Sequence, residues 1–231
     1  MNKFFIYSVL VCVMFFDAAQ ASSDGKNSPE SAATGCLPSE EIYYAYSKEF
    51  FFKDSTGDNV LLITKDPVLS KKTKSDPEGV RSQEIHASRY LHYGLKDGVI
   101  QRQLVWRIND GVHDCPSYTG LDVDFDQKGI RITDLDNNGQ SEVWVTYRLA
   151  CQGGIDPTPM KIIMYEGKQK YALRGNNKVC VSAEEYMGGD YKVDAAFIQK
   201  PIFKKYAEEL WKELNSPVIN GIPCKIEAKF N

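Results

Sequence analysis

The sequence predicts a mainly β fold: one domain of antiparallel hairpins or a meander, sandwich- or barrel-like, with one C-terminal amphipathic helix. Three observations predict it. Short runs of apolar and aromatic residues recur every ~8–12 residues, separated by Gly-, Asn- and Asp-rich turns. Hydrophobic residues are 42% of the chain and aromatics 12%, ample for a packed core. One late segment switches to helical spacing. No repeat of ~20–50 residues is present, so a propeller of similar blades is not supported.

The start reads as a secretory signal peptide over 1–21. Lys3 supplies a positive beginning, residues 4–16 are an apolar run, and Ala19-Gln20-Ala21 offers a cleavage site before Ser22. The run is about 13 residues against the ~20 a membrane span needs, and no transmembrane segment is read in the mature chain. Export to the periplasm or extracellular space is expected. Residues 22–38, rich in Ser, Gly, Pro, Asn and Ala, read as a flexible leader, and 39–231 as the folded domain.

Residues 42–53 (IYYAYSKEFFFK) read as a strand. A helix capped by Ser39 is the rival, and the bulky aromatics favour the strand. A turn over 54–58 leads to a strand at 59–64, completing a hairpin. Residues 65–82 read as a mobile, lysine-rich loop with Pro67 and Pro77; Lys71, Lys72 and Lys74 read as solvated charges. A second hairpin runs 84–93 and 99–108 about Lys96-Asp97-Gly98. A third runs 121–125 and 130–133 about Gln127-Lys128-Gly129. Residues 142–150 alternate, with Val143, Val145, Tyr147 and Leu149 opposite Trp144, Thr146 and Arg148, as a half-buried strand should. A fourth hairpin runs 160–165 and 170–174 about Glu166-Gly167-Lys168. The helix is 201–214, with Ile202, Tyr206, Leu210 and Leu214 as its stripe, Pro201 in its first turn and Pro217 beyond its end. Trp211 reads as core.

Cys12 lies in the signal, leaving Cys36, Cys115, Cys151, Cys180 and Cys224. After export disulfides are expected, and the odd number leaves one over. Connectivity does not follow from the sequence. Cys115–Cys151 is the favoured pair, since both end β-like segments; Cys180–Cys224 is second, clipping the tail to the body. The C-x₂₋₄-C spacing of a zinc site is absent. A nucleophilic Cys151 and a lipid-bearing Cys12 or Cys36 are the weaker readings.

The stretch Asp134 to Glu142 (DLDNNGQSE) is the one motif with chemistry in it. Oxygen-bearing side chains fall at its positions one, three, five and nine, with Gly139 at six. A hard cation such as Ca²⁺ takes about six to eight oxygens. Asp134, Asp136 and Asn138 can face inward, and the Gln140 carbonyl and Glu142 carboxylate can complete the shell. Val145 stands where an EF-hand needs its bidentate Glu, and the flanks are strands. The pattern looks like the calcium loops between β-strands of integrin-type FG-GAP repeats. An Asn/Asp/Gly turn without metal is the plainer reading.

Other chemistry is sparse. There is no G-x-S-x-G, H-E-x-x-H, P-loop or dinucleotide glycine pattern. His86 and His92 would share a strand face ~20 Å apart, too far for one metal. His113, near Asp110, Asp114 and Cys115, is a weak candidate base. A net charge of −3 argues against nucleic acid as partner.

Residues 132–151 (ITDLDNNGQSEVWVTYRLAC) and 156–175 (DPTPMKIIMYEGKQKYALRG), with Asp114-Cys115-Pro116 and the hairpin through Trp106, resemble a family of small exported bacterial proteins. That family is labelled "surface polysaccharide biosynthesis protein". The resemblance covers most of 84–175 and, more loosely, 42–64. It implies export, one β-rich domain, pairing of Cys115 with Cys151, and Asp134, Asp136, Asn138 and Glu142 as a common acidic loop. The family's basic residue after the second cysteine is Gln152 here.

These readings lead to an exported, non-catalytic cell-envelope protein, calcium-stabilised, that binds a glycan or a protein partner. A carbohydrate-active enzyme using an Asp/Glu pair is the alternative.

Overall fold

The computed structural model describes residues 46–72, 74, 77–182, 185–215, 218–219 and 222–223. The expected signal peptide, leader, residues 42–45, Cys36, Cys224 and Pro217 lie outside them. In chain order the strands are β1 Tyr46–Asp54, β2 Gly57–Lys65, β3 Leu69–Lys71, β4 Val80–Lys96, β5 Val99–Pro116, β6 Gly120–Phe125, β7 Arg131–Thr133, β8 Glu142–Gln152, β9 Pro159–Glu166, β10 Gln169–Asn176, β11 Lys178–Cys180, β12 Tyr186–Gly188 and β13 Tyr191–Val193. Helices α1 Ala195–Ile198 and α2 Pro201–Leu214 follow, then the short pair β14 Val218–Ile219 and β15 Ile222–Pro223.

All pairing between these strands is antiparallel. The first sheet runs β1-β2-β4, with β3 in line with β2 along one edge of β4 and β5 along the other. The second runs β13-β10-β9-β8-β6, with β7 also on β8. The expected hairpins β1–β2, β4–β5 and β9–β10 are present. Asp97 and Gly98 turn the β4–β5 ribbon with φ of 53° and 78°, the left-handed pair that suits the twist of its arms.

The two sheets face each other. Leu61, Ile63, Ile85, Ala87, Trp106 and Ile108 of the first bury against Val143, Val145, Tyr147, Ile163 and Tyr165 of the second. Trp106 stacks on Tyr165 with ring centroids 4.4 Å apart. The far face of the second sheet carries the helices: Trp144, Met160, Ile162, Met164, Tyr171 and Leu173 pack on Phe197, Phe203, Ala207, Leu210 and Trp211. The result is three layers, sheet on sheet on helix.

Four expectations need correction. First, β8 is not half-buried. Its second face is covered by α2, so Trp144 and Thr146 are as inaccessible as Val143 and Val145. Second, 121–133 is not a hairpin. Residues Gln127–Gly129 form a 3₁₀ turn, and β6 and β7 lie end to end along the same edge of β8. Gly129 is needed there, because a Cβ would collide with Thr146 and Leu214. Third, the 65–82 loop contains β3, paired to β4. Fourth, α2 has the expected bounds and buries Leu210 and Trp211 as expected, with Tyr206 and Leu214 partly buried beside them, but Phe203 and Ala207 complete the buried face in place of Ile202. Ile202 is 45% exposed. A strict four-residue step drifts about 40° per repeat around a 3.6-residue helix, so it leaves the buried face.

Cys115 and Cys151 are joined by a disulfide with Cα atoms 5.5 Å apart, tying the end of β5 to the end of β8. Cys180 is also disulfide-bonded.

Candidate metal centre

The loop 134–141 connects β7 to β8, and the register explains its shape. Thr133 and Glu142 are directly opposed, so the loop leaves and returns at one rung. Asn137 and Gly139 adopt φ of 55° and 78°, reversing the chain. The loop is clamped from outside. The Ser55 N–H donates to the Gly139 carbonyl at 2.7 Å, and the Ser141 N–H donates to Asp54 Oδ2 at 3.2 Å. The β1–β2 turn therefore holds the loop in place.

Three of the five candidate ligands converge. Asp134, Asp136 and Glu142 each bring a carboxylate oxygen within 4.8 Å of the others. Two oxygens bound to one Ca²⁺ at ~2.3–2.6 Å can be that far apart, so the three are compatible with one shell. Glu142 is fully buried. It accepts from the Thr133 hydroxyl at 2.7 Å and the Leu135 N–H at 2.9 Å. Trp144 Nε1 donates to the same Thr133 oxygen at 2.8 Å, which fixes the hydroxyl toward Glu142. Burial pushes the Glu142 carboxyl up; the Thr133 and Leu135 bonds oppose this, and the charges of Asp136 and Asp134 add to it. The two aspartates thus crowd Glu142 with like charge.

Asn138 is engaged elsewhere. Asn138 Oδ1 accepts from the Gln140 N–H at 2.7 Å, while its Nδ2 donates to Glu166 Oε1 at 2.6 Å. The Gln140 side chain lies against Gly167 in the β9–β10 turn. Asp134 also caps the turn, accepting from the Gly139 N–H at 3.1 Å. The loop is therefore a well-bonded turn as well as a carboxylate cluster.

Sequence reasoning missed three participants. Lys200, just before α2, places Nζ 3.5 Å from Asp136 Oδ2 and 4.0 Å from Glu166 Oε2. Nothing local to Lys200 signals this, since α2 is positioned by its packing on the far face. Asp54 and Arg89 form the support under the loop. Arg89 Nη2 donates to Asp54 Oδ2 at 2.7 Å, both side chains being almost wholly buried. Burial alone would raise the Asp54 carboxyl, but bonds from Thr56 and Ser141 and the Arg89 charge hold it below the usual range.

The histidines sit apart from this cluster. His86 touches Asp66 and Asn109 at 3.2 and 3.0 Å, and His113 lies 3.8 Å from Glu84. Asp66, Glu84 and His86 also group closely, with His86 held between Asp66 and Asn109.

No protein-family model, no curated protein and no solved structure matches the chain.

Proposed function

We propose that the chain is an exported, non-catalytic cell-envelope protein, stabilised by Ca²⁺ at its 134–142 loop, that binds a glycan or protein partner. The observation that carries the metal is the convergence of Asp134, Asp136 and Glu142 within 4.8 Å in a loop clamped to the first hairpin. Carbonyl oxygens and water would supply the rest of a calcium shell. The Cys115–Cys151 disulfide supports an oxidising compartment. The crevice beside the loop has Glu166 as the one carboxylate among its described lining residues. A glycosidase pair needs two carboxyl groups ~5–9.5 Å apart, which favours binding over hydrolysis.

The test is thermal unfolding with millimolar Ca²⁺ and with chelator, for the wild type and Asp134→Ala. At about 100 times its dissociation constant, a ligand of the folded state adds ~2.7 kcal/mol, several degrees for a domain of this size. A calcium-dependent rise that the variant loses supports the reading. Equal midpoints for the wild type in both conditions reduce the loop to a turn.

A further inference from the structure

We propose that the crevice between the two sheets, next to the acidic loop, binds a small polyhydroxylated carboxylic acid of the sugar-acid class, with Arg89 at its floor. The inference rests on the reading of the chain as a binding protein and adds a site and a ligand class to it.

Arg89 is 1% exposed and lies in the middle of β4. Its Nε donates to Asn59 at 3.1 Å and its Nη2 to Asp54 at 2.7 Å. Its Nη1 is buried and has no hydrogen-bond partner among the described residues. Trp106 is directly opposite Arg89 in the β4–β5 register, and its buried Nε1 is also unpartnered. Buried donors are nearly always paired, and each orphan costs free energy. Both groups donate and neither accepts. Of the two, Arg89 lines the crevice, and its Nη1 lacks an acceptor oxygen.

Arg89 lines a crevice of about 500 Å³, within the size range of small-ligand sites. Leu91 and Val105 add an apolar wall, and the amides of Gln103, Gln140 and Gln169 add paired donors and acceptors. Such amides match hydroxyl groups, which both give and take hydrogen bonds. Of the charged lining residues, Arg89 and Lys168 are cations and Glu166 is the one carboxylate. Asp54 offsets Arg89, and Lys200 is shared between Asp136 and Glu166. Lys168 makes no ion pair among the described residues and is the lining cation left to meet an acid. A carboxylate can take the free guanidinium edge, with Lys168 at the rim. Reaching the buried Nη1 needs a side-chain shift of the kind that commonly accompanies binding.

The experiment is calorimetric titration of the purified chain with D-glucuronate and, separately, with glucose, in chelator so that no metal bridges ligand and acidic loop. Saturable glucuronate binding is expected, with glucose about tenfold weaker or worse for want of the charged hydrogen bonds. Lys168→Ala with Gln103→Ala, both at exposed positions, is expected to weaken glucuronate about tenfold while leaving the unfolding midpoint in place. Arg89→Lys, which keeps the charge near Asp54 but loses the planar fork, is expected to abolish it. No saturation by glucuronate, equal affinity for glucose, or glucuronate affinity unchanged in the rim variant overturns the proposal. Because no calcium is present, each of these results leaves the calcium melt of the acidic loop to stand or fall by itself.

Discussion

Asp54 and Ser141 are 87 residues apart in the chain and hydrogen-bonded in the fold, with the Ser141 N–H donating to Asp54 Oδ2 at 3.2 Å. The same oxygen receives Arg89 Nη2 at 2.7 Å. One carboxylate thus joins β1, β4 and the entrance to β8.

Asp54→Asn leaves Arg89 buried without its counter-charge. Removing one partner of a buried ion pair costs about 3–5 kcal/mol. A fall in the unfolding midpoint of roughly 10 °C is expected, measured by calorimetry at neutral pH. A fall of only a degree or two would mean that the pair contributes little to holding the loop.

Acid sensitivity follows from two carboxyls. Asp54 and Asp110 both have folded pKa values below the ordinary range. For Asp110, burial works upward but the bonds from Lys161 at 2.6 Å and Tyr147 at 2.8 Å, with the Lys161 charge, prevail. A carboxyl lowered on folding contributes stability that is fully present above its unfolded value, about 3.9, and is lost as pH falls through the folded value. These two residues therefore predict little change in stability between pH 7 and about 5, then a decline below about 4. Denaturant midpoints of wild type and Asp110→Asn across that range check it, since the variant should lose part of the acid dependence.

Lys200→Met should tighten calcium. Nζ stands 3.5 Å from Asp136 Oδ2, so an incoming cation meets a like charge. A repulsion of about 1 kcal/mol, that of two charges ~4 Å apart in water, corresponds to roughly fivefold in affinity, shrinking as salt is added. Titration by isothermal calorimetry at low and high ionic strength reads both effects.

The helix stripe gives a paired test. Leu210→Ala removes a side chain that is 2% exposed and should cost about 2–5 kcal/mol. Ile202→Ala, on the half-exposed side, should stay within about 0.5 kcal/mol. Equal costs would place the wrong face of α2 against the sheet.

Cutting the disulfide is the fifth prediction. Cys115 and Cys151 close a loop of 36 residues. The chain-entropy account gives about 4 kcal/mol for a loop of that length. A Cys115→Ser, Cys151→Ser double variant should melt correspondingly lower.

What was legible in the sequence was what local chemistry decides. Asp97-Gly98 and Gly167 announce their turns, and Pro201 announces α2. The acidic loop was visible because its oxygens recur at fixed spacing. Long-range coverage was not visible. Trp144 and Thr146 look like the second face of a half-exposed strand until α2, more than fifty residues later, lies on them. Arg89, alone among polar neighbours in a strand, reads as a surface charge. Its burial depends on Asp54 and Asn59 in a different hairpin. β6 and β7 could not be told from a hairpin because a 3₁₀ turn and a reverse turn use the same Asp-, Lys- and Gly-rich residues.

The strands of the first sheet all lie within residues 46–116, and those of the second within 120–193. The two halves of the sandwich are therefore successive stretches of polypeptide. A chain lengthening from its N-terminus completes the first half while its mate does not yet exist. Its greasy side, with Leu61, Ile63 and Trp106, waits uncovered until β8 and β9 arrive. That interval is when self-association competes with folding, and it makes the speed at which residues 142–166 follow the first hairpins a determinant of yield.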